Sequence, residues 1–333
     1  MDFIFDCFFE EIIETIERSG LKSRQSRQNV IDQLDSIITG CSAGQNVSHE
    51  ETSRLAVEAA IKFHRNNKSQ NSEICKMGKY HNVLYIAMKI AWNWGMNDSA
   101  VICELLTEIY ECEKTFERIF LGAIFGTNAP YFIAGWRSDF KDQDENSRAL
   151  VFFLHHACQQ QLHFEIDGEN VPFIDVPIES CGKSSPLRVS LQATAPDILL
   201  ILLRYGANPN PNDNGIPPAL ALLDKLSEYD ESASYPYQLV SCFKILMLTI
   251  PFIVLPFIPL VYQVRKEMFL KKYSALIERK IVHTNRIFVV PELKHLCRCS
   301  IRDVLRNKSQ LPYGIKLLKV PRSMKRYLDL LQD

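Results

Sequence analysis

Two copies of one helix-pair pattern, set 32 residues apart from Pro186 to Pro218, restrict the fold of this chain more than any other feature. In the first copy Ser184-Ser185-Pro186-Leu187 opens a short helix. Ser185 is its cap, and the proline sits in the first turn, where its missing amide hydrogen costs nothing. A second helix follows from Pro196, with Leu199, Leu202 and Leu203 on one face. Gly206 is expected to end it in a left-handed conformation, and Ala207-Asn208-Pro209-Asn210 leads into a loop. In the second copy Gly215-Ile216-Pro217-Pro218-Ala219-Leu220 opens a helix that runs to Leu223, and Leu239 to Leu248 is its partner. The residues between them, Asp224 to Gln238, include Glu228, Asp230, Glu231 and Ser232 and read as a solvated insertion at one edge, where a partner could be selected. One such pair cannot bury its own apolar face, so about three or more must stack.

This pattern matches the ankyrin repeat. Helical periodicity also predicts helices over Ser53–His64, Asn82–Trp94, Ser99–Glu111, Arg118–Phe132 and Ser147–Gln160, which read as worn repeats that complete the stack. Ahead of them Phe5, Phe8, Phe9, Ile12, Ile13 and Ile16 form a stripe with acidic flanks, expected to pack on the body that follows. The expected organisation is an N-terminal helical region over 1–95, a repeat region over 96–260 with clear repeats at 184–212 and 215–250, and a C-terminal module over 287–333.

Within that module Leu293, Cys297 and Ile301 recur every fourth residue, with Leu296, Ser300, Val304 and Leu305 beside them. One helix face is therefore apolar or small, while Lys294, Arg298 and Arg302 point elsewhere. Pro291 suits the first helical position, and Glu292 puts negative charge at the positive end of the helix dipole. Leu311-Pro312, Leu318-Lys319-Val320-Pro321 and Tyr327-Leu328 follow. Together these residues resemble the SOCS box of the ankyrin repeat and SOCS box family. The resemblance implies an all-α fold: a degenerate ankyrin-repeat helical stack with a C-terminal three-helix SOCS box. It also implies that Leu293, Leu296, Cys297 and Ile301 face elongin C, which comes with elongin B. Leu318, Val320 and Pro321 would contact a cullin of the fifth type, which carries a RING-box subunit. Lys319 stands where that family's cullin element has its first proline, and Glu292 where it has a small residue or proline. The function implied is substrate recruitment to a ubiquitin ligase, with an unidentified protein substrate held by the repeats. The other readings are an ankyrin scaffold with no ligase link, whose terminal box caps the stack, and a helix that packs on the chain's own core.

The remaining residues exclude more than they assign. A net charge of −1 leaves no excess of positive charge for phosphate backbones, so no nucleic-acid partner is expected. Ten scattered cysteines suggest reduced thiols in the cytoplasm, with the nucleus also open. The apolar run Ile245–Tyr262 is interrupted by Pro251, Pro256 and Pro259, so a buried connector is expected there and not a membrane span. Its burial would hold the C-terminal module against the repeats. No phosphate-binding glycine loop, Gly-x-Ser-x-Gly elbow or His-Glu-x-x-His occurs, so no catalytic residue, cofactor or metal is assigned. His155, His156 and Cys158 sit together but point in different directions, so a packed or surface role is expected. His295, Cys297 and Cys299 point to different sides of their helix with no second Cys-x-x-Cys or His pair nearby, so neither set is read as a metal site. Trp92, Trp94 and Trp136 are expected in the core.

Overall fold

Apolar residues at helical spacing become helices throughout a computed structural model of the chain, which describes residues 2–15, 21, 23–45, 47–70, 75, 80–126, 138–211, 215–229, 234–253 and 262–332. Sixteen α-helices and one two-stranded sheet make up the regular structure among these residues, an all-α fold. They divide into two units: residues 1–164 with 178–180, and residues 165–177 with 181–333.

In the first unit α1 (Asp2–Thr15) packs on α3 (His49–Gln70), burying Phe5 and Phe9 as the acid-flanked stripe requires. Ile13 and Ile16 of that stripe lie outside the side chains described. The stretch between them forms α2 (Arg24–Gln45), which the polar composition hides. Its Val30, Ile31, Leu34 and Ile38 are buried at helical spacing, against α3 and α4 (Asn82–Asn93). Arg27 of α2 is buried with Asp139, the two 2.6 Å apart, so loss of either partner would leave an uncompensated charge inside. Helix α4 is buried from Asn82 to Ala91 and is apolar almost all round, which makes it the centre of this unit.

The unit is completed by α5 (Ser99–Glu113), α6 (Glu117–Phe125) and α7 (Gln143–Gln159). Asp98 caps α5 and Asp142 caps α7, each accepting backbone N–H bonds from the first turn. The helix predicted over Arg118–Phe132 spans Glu117–Phe125, and its last six residues lie outside the described residues. Trp92 and Trp94 are half-buried and not core: their indole N–H groups need acceptors, and they donate to Glu145 and Asp35. Trp136 lies outside the described residues.

A hairpin of β1 (His163–Ile166) and β2 (Glu169–Pro172) follows, turned by Asp167-Gly168 with both φ angles positive. Asp-Gly is the two-residue turn whose twist suits a hairpin.

In the second unit α8 (Pro186–Gln192) packs on α9 (Pro196–Arg204). The second helix pair, α10 (Pro218–Ser227) and α11 (Tyr237–Met247), lies on the first through α9–α11 and α8–α10 contacts. The starts of α8 and α10 thus keep the spacing read from Pro186 and Pro218. The Ser185 hydroxyl accepts the Arg188 N–H, Ile198, Leu199, Leu202 and Leu203 are buried, and Gly206 has φ 95°. Gly206 N–H bonds to Leu203 O and Ala207 N–H to Leu202 O, so two of the four orphan carbonyls of the helix end are satisfied.

The expected insertion is shorter than proposed, because Asp224 to Ser227 continue α10. Asp224 accepts from Lys272 and the Tyr273 hydroxyl, contributed by α12 (Tyr262–Lys272) and the residue before α13 (Ser274–Glu278), and these bonds secure the helical end. Residues 230–233, with Asp230, Glu231 and Ser232, lie outside the described residues. So do 254–261 of the proline-interrupted run, with Pro256 and Pro259, while Ile250 and Ile253 on its near side are buried. No helix among the described residues is long and apolar enough to cross a membrane.

His156 of α7 is packed against the Phe152 ring, and its Nδ1 shares a hydrogen bond with the Ser99 hydroxyl at 2.8 Å. Burial, with the neighbouring His155, pushes its pKa from 6.5 down to about 4. The unfolded chain therefore takes up this proton first, so stability is fully present above about 6.5 and is lost as pH falls towards 4. Urea titrations should show that wild type loses about 2 kcal/mol more than His156→Gln between pH 7 and pH 5, at 1.36 kcal/mol per pKa unit. Equal losses in the two proteins would contradict this placement.

Candidate docking surface on the C-terminal helix

Helix α14 (Leu293–Asn307) is amphipathic, but its charged side is the one that is buried. His295, Arg298, Cys299, Arg302 and Leu305 face the protein, while Leu293 is 76% exposed and Val304 56%. Cys297 and Ser300 are also exposed, and Leu296 and Ile301 are half-buried at the edges. The helix begins at Leu293 with Glu292 as its cap residue, so Pro291 precedes the first turn instead of occupying it.

His295, Arg298 and Arg302, the buried polar residues of α14, each have a specific contact. His295 Nε2–H donates to Ile250 O at 2.8 Å, and its Nδ1 accepts from Arg298 at 3.2 Å. The Arg298 guanidinium stacks 4.1 Å from the centre of the Tyr327 ring, a ring that Lys294 also approaches at 4.2 Å. Arg302 donates to Leu328 O at 2.6 Å and Leu203 O at 2.5 Å. These carbonyls lie at the C-terminal ends of α16 (Arg322–Leu328) and α9, so one cation meets the negative ends of two helix dipoles. Burial pulls the Arg302 pKa down to about 10, which leaves it charged at neutral pH.

Neighbouring contacts repeat the connection. Arg204 pairs with Asp329 at 2.7 Å, Arg306 donates to Asn208 Oδ1 at 2.7 Å, and a Cβ on Gly206 would lie 3.5 Å from Leu311. The C-terminal module thus rests on the α8–α9 pair. Its own small core is Leu305, Leu311, Ile315 and Leu328, with Ile301 and Leu318 against it. Gly314 in α15 (Tyr313–Leu317) permits this packing, since a Cβ there would come within 2.9 Å of Leu305.

The structure gathers Leu293, Leu296, Cys297 and Ile301 on or beside one exposed face. It separates the other candidates: Leu318 is partly buried in the module's core, Val320 is half-buried, and Pro321 is exposed where it precedes α16. Leu317, 82% exposed, was not singled out by sequence reasoning, and its place after the Leu311–Ile315 run offers no periodic signal. The interior roles of Arg298 and Arg302 were also missed, because guanidinium groups at helical spacing read as a solvated face.

Residues 289–329 match the SOCS box family model, which covers α14, α15 and α16 and the short segments joining them. No curated protein and no solved structure matches the chain. The C-terminal three-helix module of this chain is a SOCS box.

Replacing Arg302 by Met keeps the side chain's bulk but removes the fork. With two charge-assisted bonds lost and Leu328 O deprived of this donor, the cost should be about 3 kcal/mol. Hydrogen exchange in α14–α16 should quicken about a hundredfold. Unchanged exchange would mean that Arg302 does not hold the module.

Proposed function

We propose that this chain is a substrate-recruiting subunit of an elongin B/C, cullin and RING-box ubiquitin ligase, docking on elongin C through the outward face of α14. One observation carries the reading. A helix whose polar side is committed to its own protein leaves Leu293, Cys297 and Val304 exposed, within a segment that matches the SOCS box. Burying a leucine side chain yields about 1.5–3 kcal/mol, so exposure of Leu293 and its neighbours forgoes a stabilisation that a partner groove would supply. Cys297 and Ser300 are small enough to let a second helix approach closely.

The proposed contacts to elongin C are Leu293, Leu296, Cys297 and Ile301, and those to a cullin of the fifth type are Val320, Pro321 and the outer edge of Leu318. The α8–α11 helix pairs, read as ankyrin repeats, would present the substrate-binding surface. Two readable repeats and the Leu311–Ile315 run resemble the family's repeat-poor member seventeen. The chain would do no bond chemistry of its own. Holding a substrate beside a ubiquitin-loaded enzyme raises effective concentration through geometry alone.

The scaffold reading is favoured by the bonds of Arg302 and Arg204, which make the box a cap on the α8–α9 pair whatever else it does. Capping uses the inner face of α14 and elongin binding the outer, so one test separates them. Co-expression with elongin B and elongin C should yield a stable complex, and Leu293→Asp with Cys297→Asp should weaken it at least about a hundredfold, as for central interface residues. Thermal stability of the free chain should be unchanged, since both positions lie outside its core. No complex with wild type, or equal complex with the double variant, would leave the scaffold reading.

A further inference from the structure

Four potential metal ligands converge inside the first unit, remote from the SOCS box in the sequence. His64 of α3, Cys75 between α3 and α4, His81 at the start of α4 and Cys112 of α5 each offer one donor atom, and all four atoms lie within 4.8 Å of one another. His64 Nε2 is 3.2 Å from Cys75 Sγ and 3.7 Å from Cys112 Sγ, and His81 Nδ1 is 3.5 Å from Cys75 Sγ. With Zn–N about 2.0 Å and Zn–S about 2.3 Å, the nitrogen–sulfur edge of a tetrahedral zinc site is about 3.5 Å. The three edges bracket that value.

The surroundings are those of a metal site as well. His64 Nδ1–H donates to Glu108 Oε1 at 2.9 Å, and His81 Nε2–H donates to Glu113 Oε1 at 2.6 Å. Both carboxylates are almost wholly buried. Each holds its imidazole by the outer nitrogen, so the lone pair of the other nitrogen points at the thiols, the arrangement that orients and strengthens a metal-binding histidine. The two imidazoles therefore use opposite atoms towards the centre, Nε2 from His64 and Nδ1 from His81. The carboxylates are themselves held: Arg65 donates to Glu108 at 2.8 Å, and the Tyr85 hydroxyl donates to Glu113 at 2.5 Å.

We propose that His64, Cys75, His81 and Cys112 form a closed Cys2His2 site for Zn2+ that ties α3, α4 and α5 together. Thiolate and imidazole donors in a tetrahedral set suit this ion, and four protein ligands leave no open position for a reacting water. The role is structural. On binding, Cys75 and Cys112 each release a proton to solvent, the imidazoles stay neutral, and the two thiolates balance the charge of the ion. The ligands lie at irregular separations and without a Cys-x-x-Cys pair, so the spacing does not announce them.

Metal analysis of the full-length chain, purified in reductant and passed through a desalting column, should find about one zinc per chain. Cobalt in place of zinc should give the visible bands and thiolate charge-transfer absorption of a tetrahedral site. Cys112→Ser should reduce zinc at least about fivefold and alter the cobalt spectrum. Since such a variant can fail to fold, wild type supplies a second readout. Alkylation of Cys75 and Cys112, mapped by peptide mass, should quicken about tenfold or more when a chelator is added, while exposed Cys297 reacts at the same rate throughout. Substoichiometric zinc with no cobalt spectrum, chelator-independent alkylation, or a Cys75–Cys112 disulfide in the purified protein would each overturn the assignment.

Discussion

The guanidinium of Arg302 is the fixed point of the C-terminal half. It bridges Leu203 O of α9 and Leu328 O of α16 from a buried position on α14. A planar guanidinium fork serves two helix ends at once from fixed geometry, where a lysine would offer a single ammonium on a flexible stem. Once Arg302 is placed, the rotation of α14 about its axis is determined: His295, Arg298 and Cys299 must also turn inward, and Leu293, Cys297 and Val304 must turn out. An exposed apolar face is thus a consequence of how the polar face is satisfied. The stability of the module and its availability to a partner come from opposite sides of one helix.

Gly206 and Gly314 support that arrangement by different means. Gly206 takes the positive φ that ends α9 and releases the chain beneath Leu311, whereas Gly314 is a close approach in which backbone lies against Leu305. A side chain would strain the first position and collide at the second. The α9 end, with its Schellman bonds, and the core of the box therefore meet over a short stretch of backbone that tolerates little change.

Much of this was readable from residues whose role is local. Ser185, Pro186 and Gly206 mark helix ends through their own hydrogen bonds and φ preferences, and the Leu199, Leu202, Leu203 face follows from period alone. Hydrophobic spacing found α3 to α7 for the same reason. Helix α2 escaped because its buried Val30, Ile31, Leu34 and Ile38 are diluted by polar neighbours, although their spacing was present. Asp167-Gly168 was a usable hairpin signal that the dominant helical periodicity obscured. What no local rule could supply was partnership across the fold. Arg302 reads as a surface charge until Leu203 and Leu328 carbonyls are beside it, and no spacing joins His64, Cys75, His81 and Cys112 until the fold brings them together.

Cys297 and Cys299 report the central claim from positions two residues apart on opposite faces of α14. In the free chain, iodoacetamide should label exposed Cys297 rapidly and Cys299 slowly, because burial also pushes the Cys299 thiol up to about 11. Adding purified elongin B/C should protect Cys297 and leave the slow rate of Cys299 unchanged. Comparable labelling of both cysteines in the free chain, or full labelling of Cys297 with elongin B/C present, would contradict a helix that turns its charged side inward and offers its apolar side to that partner.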